Sequence, residues 1–245
     1  MRWILLLTAV GCARSESTYE ITLPANGIFD AYMDADRGDI TYDGAPATEA
    51  ADSVRQFDVA IRSWGKGRTK GRAERRAANN RFGATVSDEW LDVWGRSGVG
   101  RAGTDLTVEG PRVFNVEAFT AHGTARLVEV DGYHTVTATR VEGEGVVGDI
   151  DALADGGGID MDITPYEGSI VRLETIGNDL TVVLPTGLDY DLQVFADPEY
   201  GYEVADLGFE ELVLGPDYVY ATKGEASVRV TLLASGGEIS VLEAR

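Results

Sequence analysis

The sequence predicts an all-β chain, a stack of short strands wound as a solenoid, with one short helix near residues 70–80. Three observations predict it. Apolar and polar residues alternate with period two in short runs such as Tyr19-Glu20-Ile21-Thr22-Leu23, Phe57-Asp58-Val59-Ala60-Ile61 and Trp90-Leu91-Asp92-Val93-Trp94. The 245 residues include 30 glycines, enough to turn the chain after almost every run. A unit of strand followed by a glycine turn recurs at Val136–Gly143, Ile150–Gly156 and Ile170–Gly177, the irregular spacing that rungs with unequal loops would produce.

The first residues read as a targeting segment. Arg2 supplies a positive charge, Ile4 to Val10 form a seven-residue stretch that is apolar but for Thr8, and Ala9-Val10-Gly11 places small residues before Cys12, the only cysteine. This pattern resembles a bacterial lipoprotein signal, so residues 1–11 are expected to be a signal peptide. Cys12 is then the lipidation site and residues 12–18 a lipidated tether, with the domain over 19–245. Seven residues are too few to span a bilayer core of about 30 Å, so membrane attachment is expected through lipid on Cys12.

Further strands are expected over 105–108, 113–118, 125–130, 135–139, 148–152, 159–163, 169–174 and 179–184. Residues 70–80 lack β-branched side chains and are rich in helix formers. The window 62–81 around them holds eight basic residues and one acid, Glu74. Lys66, Arg68, Lys70, Arg72, Arg75 and Arg76 are therefore candidates for a patch that meets an anionic partner. Elsewhere acids dominate: 41 Asp and Glu face 21 Lys and Arg, a formal charge of −20. Such a surface repels phosphates, which excludes nucleic acid as a partner. With 44% hydrophobic and 25% charged residues the chain folds rather than remaining disordered.

Motifs for chemistry are scarce. Gly143-Glu144-Gly145-Val146-Val147-Gly148 has the dinucleotide spacing, but no helix can open at its third glycine and its acids oppose phosphate. One cysteine and two histidines, His122 and His134, leave no Cys-based zinc site. The histidines read as turn and strand-surface residues. No GxSxG nucleophile motif is present. Asp149 and Asp151, and Asp160 and Asp162, alternate with apolar residues and should point outward. On adjacent rungs they would stack four carboxylates about 5 Å apart, a ladder suited to calcium or simply to water. No other cofactor is implied. Trp90 and Trp94, Tyr200 and Tyr202, and Tyr218 and Tyr220 are candidates for stacking on a ligand or for packing.

Arg37-Gly38-Asp39-Ile40-Thr41, Val147-Gly148-Asp149-Ile150-Asp151, Gly157-Gly158-Ile159-Asp160-Met161, Gly177-Asn178-Asp179-Leu180 and Gly236-Gly237-Glu238-Ile239 repeat one theme, a glycine turn, a polar residue and an apolar strand start. In their number and order they resemble the adhesin-like domains of bacterial cell envelopes. The resemblance implies a single-stranded right-handed β-solenoid and an envelope location, and it implies no catalytic residue. The expected protein is non-enzymatic and lipid-anchored at the outer membrane, with an adhesin-like binding or structural surface for a glycan or protein ligand. Two alternatives stand beside it: a polysaccharide-active β-helix enzyme using surface carboxylates, and a self-associating envelope scaffold or sensor.

Overall fold

A computed structural model of the protein describes residues 13–45, 56–87, 89–112 and 114–244. The signal peptide expected at 1–11 and the lipidation site Cys12 lie outside the described residues. The strands are β1 (Ala13–Pro24), β2 (Asp30–Ala35), β3 (Ile40–Ala45) and β4 (Gln56–Gly67), followed by the helix α1 (Lys70–Ala78). Then come β5 (Arg81–Ser87), β6 (Trp90–Arg96), β7 (Ala102–Pro111), β8 (Asn115–Thr120), β9 (Thr124–Val128), β10 (Asp131–Ala138), β11 (Arg140–Asp155) and β12 (Ile159–Thr164). The chain continues through β13 (Ile170–Ile176), β14 (Leu180–Leu184), β15 (Tyr190–Phe195), β16 (Tyr202–Val204), β17 (Glu211–Leu214), β18 (Tyr218–Thr222), β19 (Val228–Ser235) and β20 (Ile239–Glu243). The chain is thus all-β with a short helix where one was expected.

All 20 strands join into one sheet that wraps, nearly closed and barrel-like, around one apolar core. Two runs of parallel neighbours make up most of it. One run is β2, β8, β10, the second half of β11, β13, β19 and β15. The other is β7, β3, β9, the first half of β11, β12, β14, β20 and β16.

Register turns the period-two sequence into columns. Along the first run, Ala31, Val116, His134, Ile150, Val171 and Val230 stack inward, each opposite the next. Along the second, Ile40, Ala125, Val141, Ile159, Leu180 and Ile239 do the same. Burying such columns out of water at about 25 cal/mol per Å² is the main stabilising term.

Two expectations are corrected. Strands are not evenly short: β11 runs for 16 residues and crosses from one parallel run to the other, with a register shift between Gly143 and Val146. The GxGxxG stretch is this corner, where Gly145 and Gly148 adopt φ of +62° and +103°. Residues 13–18, expected to be a tether, form the first half of β1, antiparallel to β4 from Ala13 opposite Gly67 to Thr18 opposite Arg62. The physical reason is that β4 otherwise leaves a row of backbone groups unpaired along its outer edge. Antiparallel pairs also close the far end, β15 with β18 and β18 with β17.

His134, expected on the strand surface, is fully buried between Val116 and Ile150. Neither ring nitrogen has a hydrogen-bond partner. Burial pushes its pKa down to about 4, against the weaker opposing pulls of the Val147 backbone and of Asp131 and Asp149.

Two predictions follow from these positions. An Ala at Gly148 would carry its Cβ into the Gly132 carbonyl on the neighbouring strand, at a φ that disfavours any side chain. Gly148→Ala should lower the urea-unfolding free energy by about 3 kcal/mol, and Gly156→Ala, which has a positive φ but open space around it, by about 1 kcal/mol. The unfolded state takes up a proton on His134 below pH 6.5 while the folded state resists to about pH 4, so this residue's contribution is lost as pH falls through that window. His134→Leu should be at least as stable as wild type at pH 7, and should lack about 3 kcal/mol of the wild-type decline between pH 6.5 and pH 4 in pH-dependent melts.

Candidate functional site

The basic segment is held by small residues. Thr69 caps α1, its hydroxyl accepting the Arg72 amide at 3.4 Å. Ala73 and Ala77 are the buried residues of the helix, and they lie against Gly65 and Gly67, where any Cβ would strike the helix backbone. Ser63 Oγ donates to the Ala77 carbonyl at 2.9 Å, and Asn80 Nδ2 donates to the Gly103 carbonyl at 2.7 Å and to Ser63 Oγ at 3.0 Å. With that face pinned, the charged face is left to solvent.

Lys66, Arg68, Lys70, Arg72 and Arg75 are all exposed, so the structure brings five of the six candidate cations together. Arg76 differs: it is half-buried, and its guanidinium donates to the Lys66 carbonyl. Glu74, 3.8 Å from Lys70, is the carboxylate within the group. Arg101 joins the cluster, because its carbonyl accepts the Lys66 amide at 2.8 Å and its side chain is exposed. The sequence offered no signal for it, since it lies far along the chain and is brought in by β7.

Behind this end sits a carboxylate hub. Asp105 is 9% exposed and accepts from Arg62 Nε at 2.8 Å and Nη2 at 2.5 Å, from Trp64 Nε1 at 2.9 Å and from the Asp39 amide at 3.2 Å. It ties β4, β7 and the turn before β3 together. Arg14 and Lys66 flank the Trp64 ring at 5.8 Å and 5.3 Å.

The acidic ladder is corrected. Asp149 and Asp151 stand on the half of β11 that pairs with β10 and β13, whereas Asp160 and Asp162 stand on β12, in the other parallel run. The pairs are therefore not neighbours. The break at residues 156–158, between the end of β11 and the start of β12, carries the chain from one run to the other between them. Asp149 also has a structural task, accepting the Ile170 amide at 2.8 Å. Among the described residues no group of three or more His, Cys, Asp or Glu side chains comes together to hold a metal ion.

The far end of the sheet carries an aromatic and aliphatic patch. Phe195 and Tyr220 meet edge to face at 5.7 Å between centroids, and Tyr218 lies 5.3 Å from Tyr220. Val213 pairs with Tyr220 across β17 and β18, and Leu212, Val213 and Leu214 are each more than half exposed. Beside Phe195 lies an open depression of about 370 Å³ lined also by Glu174, Asp197, Pro198 and Ser235. Rings for stacking and carboxylates for hydroxyl groups are thus adjacent. Tyr200 is exposed, whereas Tyr202 is half-buried and donates to the Gly215 carbonyl at 2.7 Å.

A second polar group, on β2 and β6, escaped sequence reasoning. Asp92 faces Tyr32, and Asp34 faces Trp94, across the pair. Arg96 Nη2 donates to Asp34 Oδ2 at 2.5 Å. Burial first and the Asp34 charge second raise the Asp92 pKa above the usual carboxylate value. His122 occupies the exposed turn expected for it, where its carbonyl accepts the Gly38 amide.

No protein-family profile matches the sequence, and no curated protein does. Solved structures do. A candidate cell adhesion protein from Clostridium sporogenes aligns over 94% of this chain and 100% of its own, with 12% identity and a TM-score of 0.54. Candidate adhesins from Bacteroides fragilis (13% identity, TM-score 0.31, 93% and 97% coverage) and Parabacteroides merdae (10% identity, TM-score 0.30, 94% and 96% coverage) also align. At such identity, the Clostridium protein shows a shared fold.

The hub makes a direct prediction. Asp105→Ala leaves the Trp64 N–H, the Asp39 amide and the Arg62 guanidinium without their acceptor, and should cost about 3 kcal/mol in urea unfolding. Asp105→Asn, which retains one acceptor oxygen, should cost less.

Proposed function

We propose that the chain is a lipid-anchored, adhesin-like and non-enzymatic binding protein of the bacterial envelope, wound as a right-handed β-solenoid. The patch of Phe195, Tyr218, Tyr220 and Val213 beside the Glu174 and Asp197 depression carries this reading, because the exposed Tyr220 ring and the half-buried rings packed on it, next to carboxylates, suit a glycan or a protein side chain. The fold shared with the candidate cell adhesion protein supports it. The two parallel, in-register runs support solenoid winding, with each turn placing one strand on each run. The signal pattern ending at Cys12 supports the anchor and an outer-membrane location.

The enzymatic alternative draws on the Asp92 and Asp34 pair, a raised acid beside a charged one. A screen of immobilised neutral and anionic glycans and surface proteins tests both readings. Saturable binding is expected that falls at least tenfold in Tyr220→Ala and Phe195→Ala at unchanged melting temperature. Bond cleavage that Asp92→Asn abolishes would replace the binding reading with the enzymatic one. Cell fractionation of wild type against Cys12→Ser tests the anchor separately: release of the variant from membranes is expected, and equal retention overturns lipidation.

A further inference from the structure

The basic end and the first described residues coincide. Ala13 pairs with Gly67 and Arg14 with Lys66, so residue 13 lies one strand spacing, about 5 Å, from the strand that leads into α1. Lys66, Arg68, Lys70, Arg72, Arg75 and Arg101 are exposed around that point. Among the described residues the carboxylates paired with cations of this end are Glu74 on Lys70, Glu16 on Arg14 and Arg62, and Asp105 on Arg62. Residues 83–245, by contrast, hold nine bases and thirty acids.

We infer that this end is a membrane-facing surface that binds anionic phospholipid headgroups. The inference rests on the proposed envelope location but not on lipidation of Cys12, because the charges act without an acyl chain. The composition of the patch separates a bilayer from other anionic partners. A protein interface is built around an apolar core, and here the outward residues from 66 to 75 are cations on long side chains, with Thr69, Gly71 and Glu74 between them and no large apolar residue. A glycan site would offer a ring, yet Trp64 already has Arg14 and Lys66 against it. A charged plane asks only that several cations reach the same surface, each adding about fivefold to binding at a membrane carrying acidic lipid.

The test uses Cys12→Ser protein, so that no lipid contributes, in co-sedimentation with phosphatidylcholine vesicles with and without phosphatidylglycerol. Binding is expected only to the phosphatidylglycerol vesicles, and it should disappear in high salt. The triple variant Arg68→Gln, Arg72→Gln, Arg75→Gln should bind roughly a hundredfold more weakly at an unchanged melting temperature. Three results overturn the inference: no binding to phosphatidylglycerol vesicles, binding that the triple variant retains, or a patch-dependent self-association or heparin binding without vesicle binding. Because fractionation reads the anchor and vesicles read the patch, either idea can fail while the other stands.

Discussion

Neighbouring strands of this sheet depend on side-chain oxygens that accept amides at the corners where regular pairing gives out. Polar side chains with one oxygen at the right height meet that demand. Asp39 accepts the Thr124 amide at 2.9 Å, Asn115 the Tyr133 amide at 2.9 Å, Asp149 the Ile170 amide at 2.8 Å and Asp179 the Glu238 amide at 3.0 Å. Asp39, Asn115 and Asp179 stand at or next to strand starts and Asp149 just past the β11 corner, and each serves an amide 18 or more residues along the chain. An amide left unpaired there would cost the desolvation of the group, and a one-residue slip would turn each inward column outward. The Gly-Asp-Ile theme is thus a coupling device between turns. The glycine admits the neighbouring carbonyl, the acid holds the next amide and the apolar residue enters the column.

That explanation also marks what was legible. Alternation in β9, β12 and β14 predicted strands because each has one face on the core, and residues 70–80 predicted α1 because no β-branched side chain opposed it. The path of β11 was not legible. Gly143 and Gly145 read as the end of a strand, whereas the chain bends there and continues; Gly143 must be small because Met161 fills the space a side chain would take. Strand periodicity says which residues share a face, and it does not say which strand lies alongside. For that reason Asp149 and Asp160 read as neighbours when they stand on different runs. Burial of His134 was hidden for a related cause: its place in an inward column follows from β8 and β11 on either side.

In the basic end, by contrast, a local charge window was enough, because a helix keeps sequence neighbours together. The structure adds what anchors it. Asp105 binds Arg62 on β4, and the helix cations take no part in the hub. Arg76 is turned back onto the Lys66 carbonyl, which leaves Lys66, Arg68, Lys70, Arg72 and Arg75 as the exposed cations of the segment.

The same stacking limits where a strongly acidic protein can place its excess charge. Neighbouring strands lie about 5 Å apart, inside the Debye length of about 8 Å at physiological salt, so carboxylates at the same height on successive strands repel. The outward columns break such runs up. In one, Glu117, Thr135, Asp151 and Arg172 succeed one another, and in the other Glu142 and Asp160 are adjacent, with Arg140 bonded to Glu142 at 2.7 Å. Local interleaving leaves the ends as the places where one sign accumulates. Residues 197–217, around β16 and β17, carry seven acids and no Lys or Arg, while the cations collect around α1. On the proposed membrane-facing reading this distribution orients the molecule, with the basic end drawn toward an anionic surface and the acidic end, which holds the aromatic patch beside β17, pushed away from it.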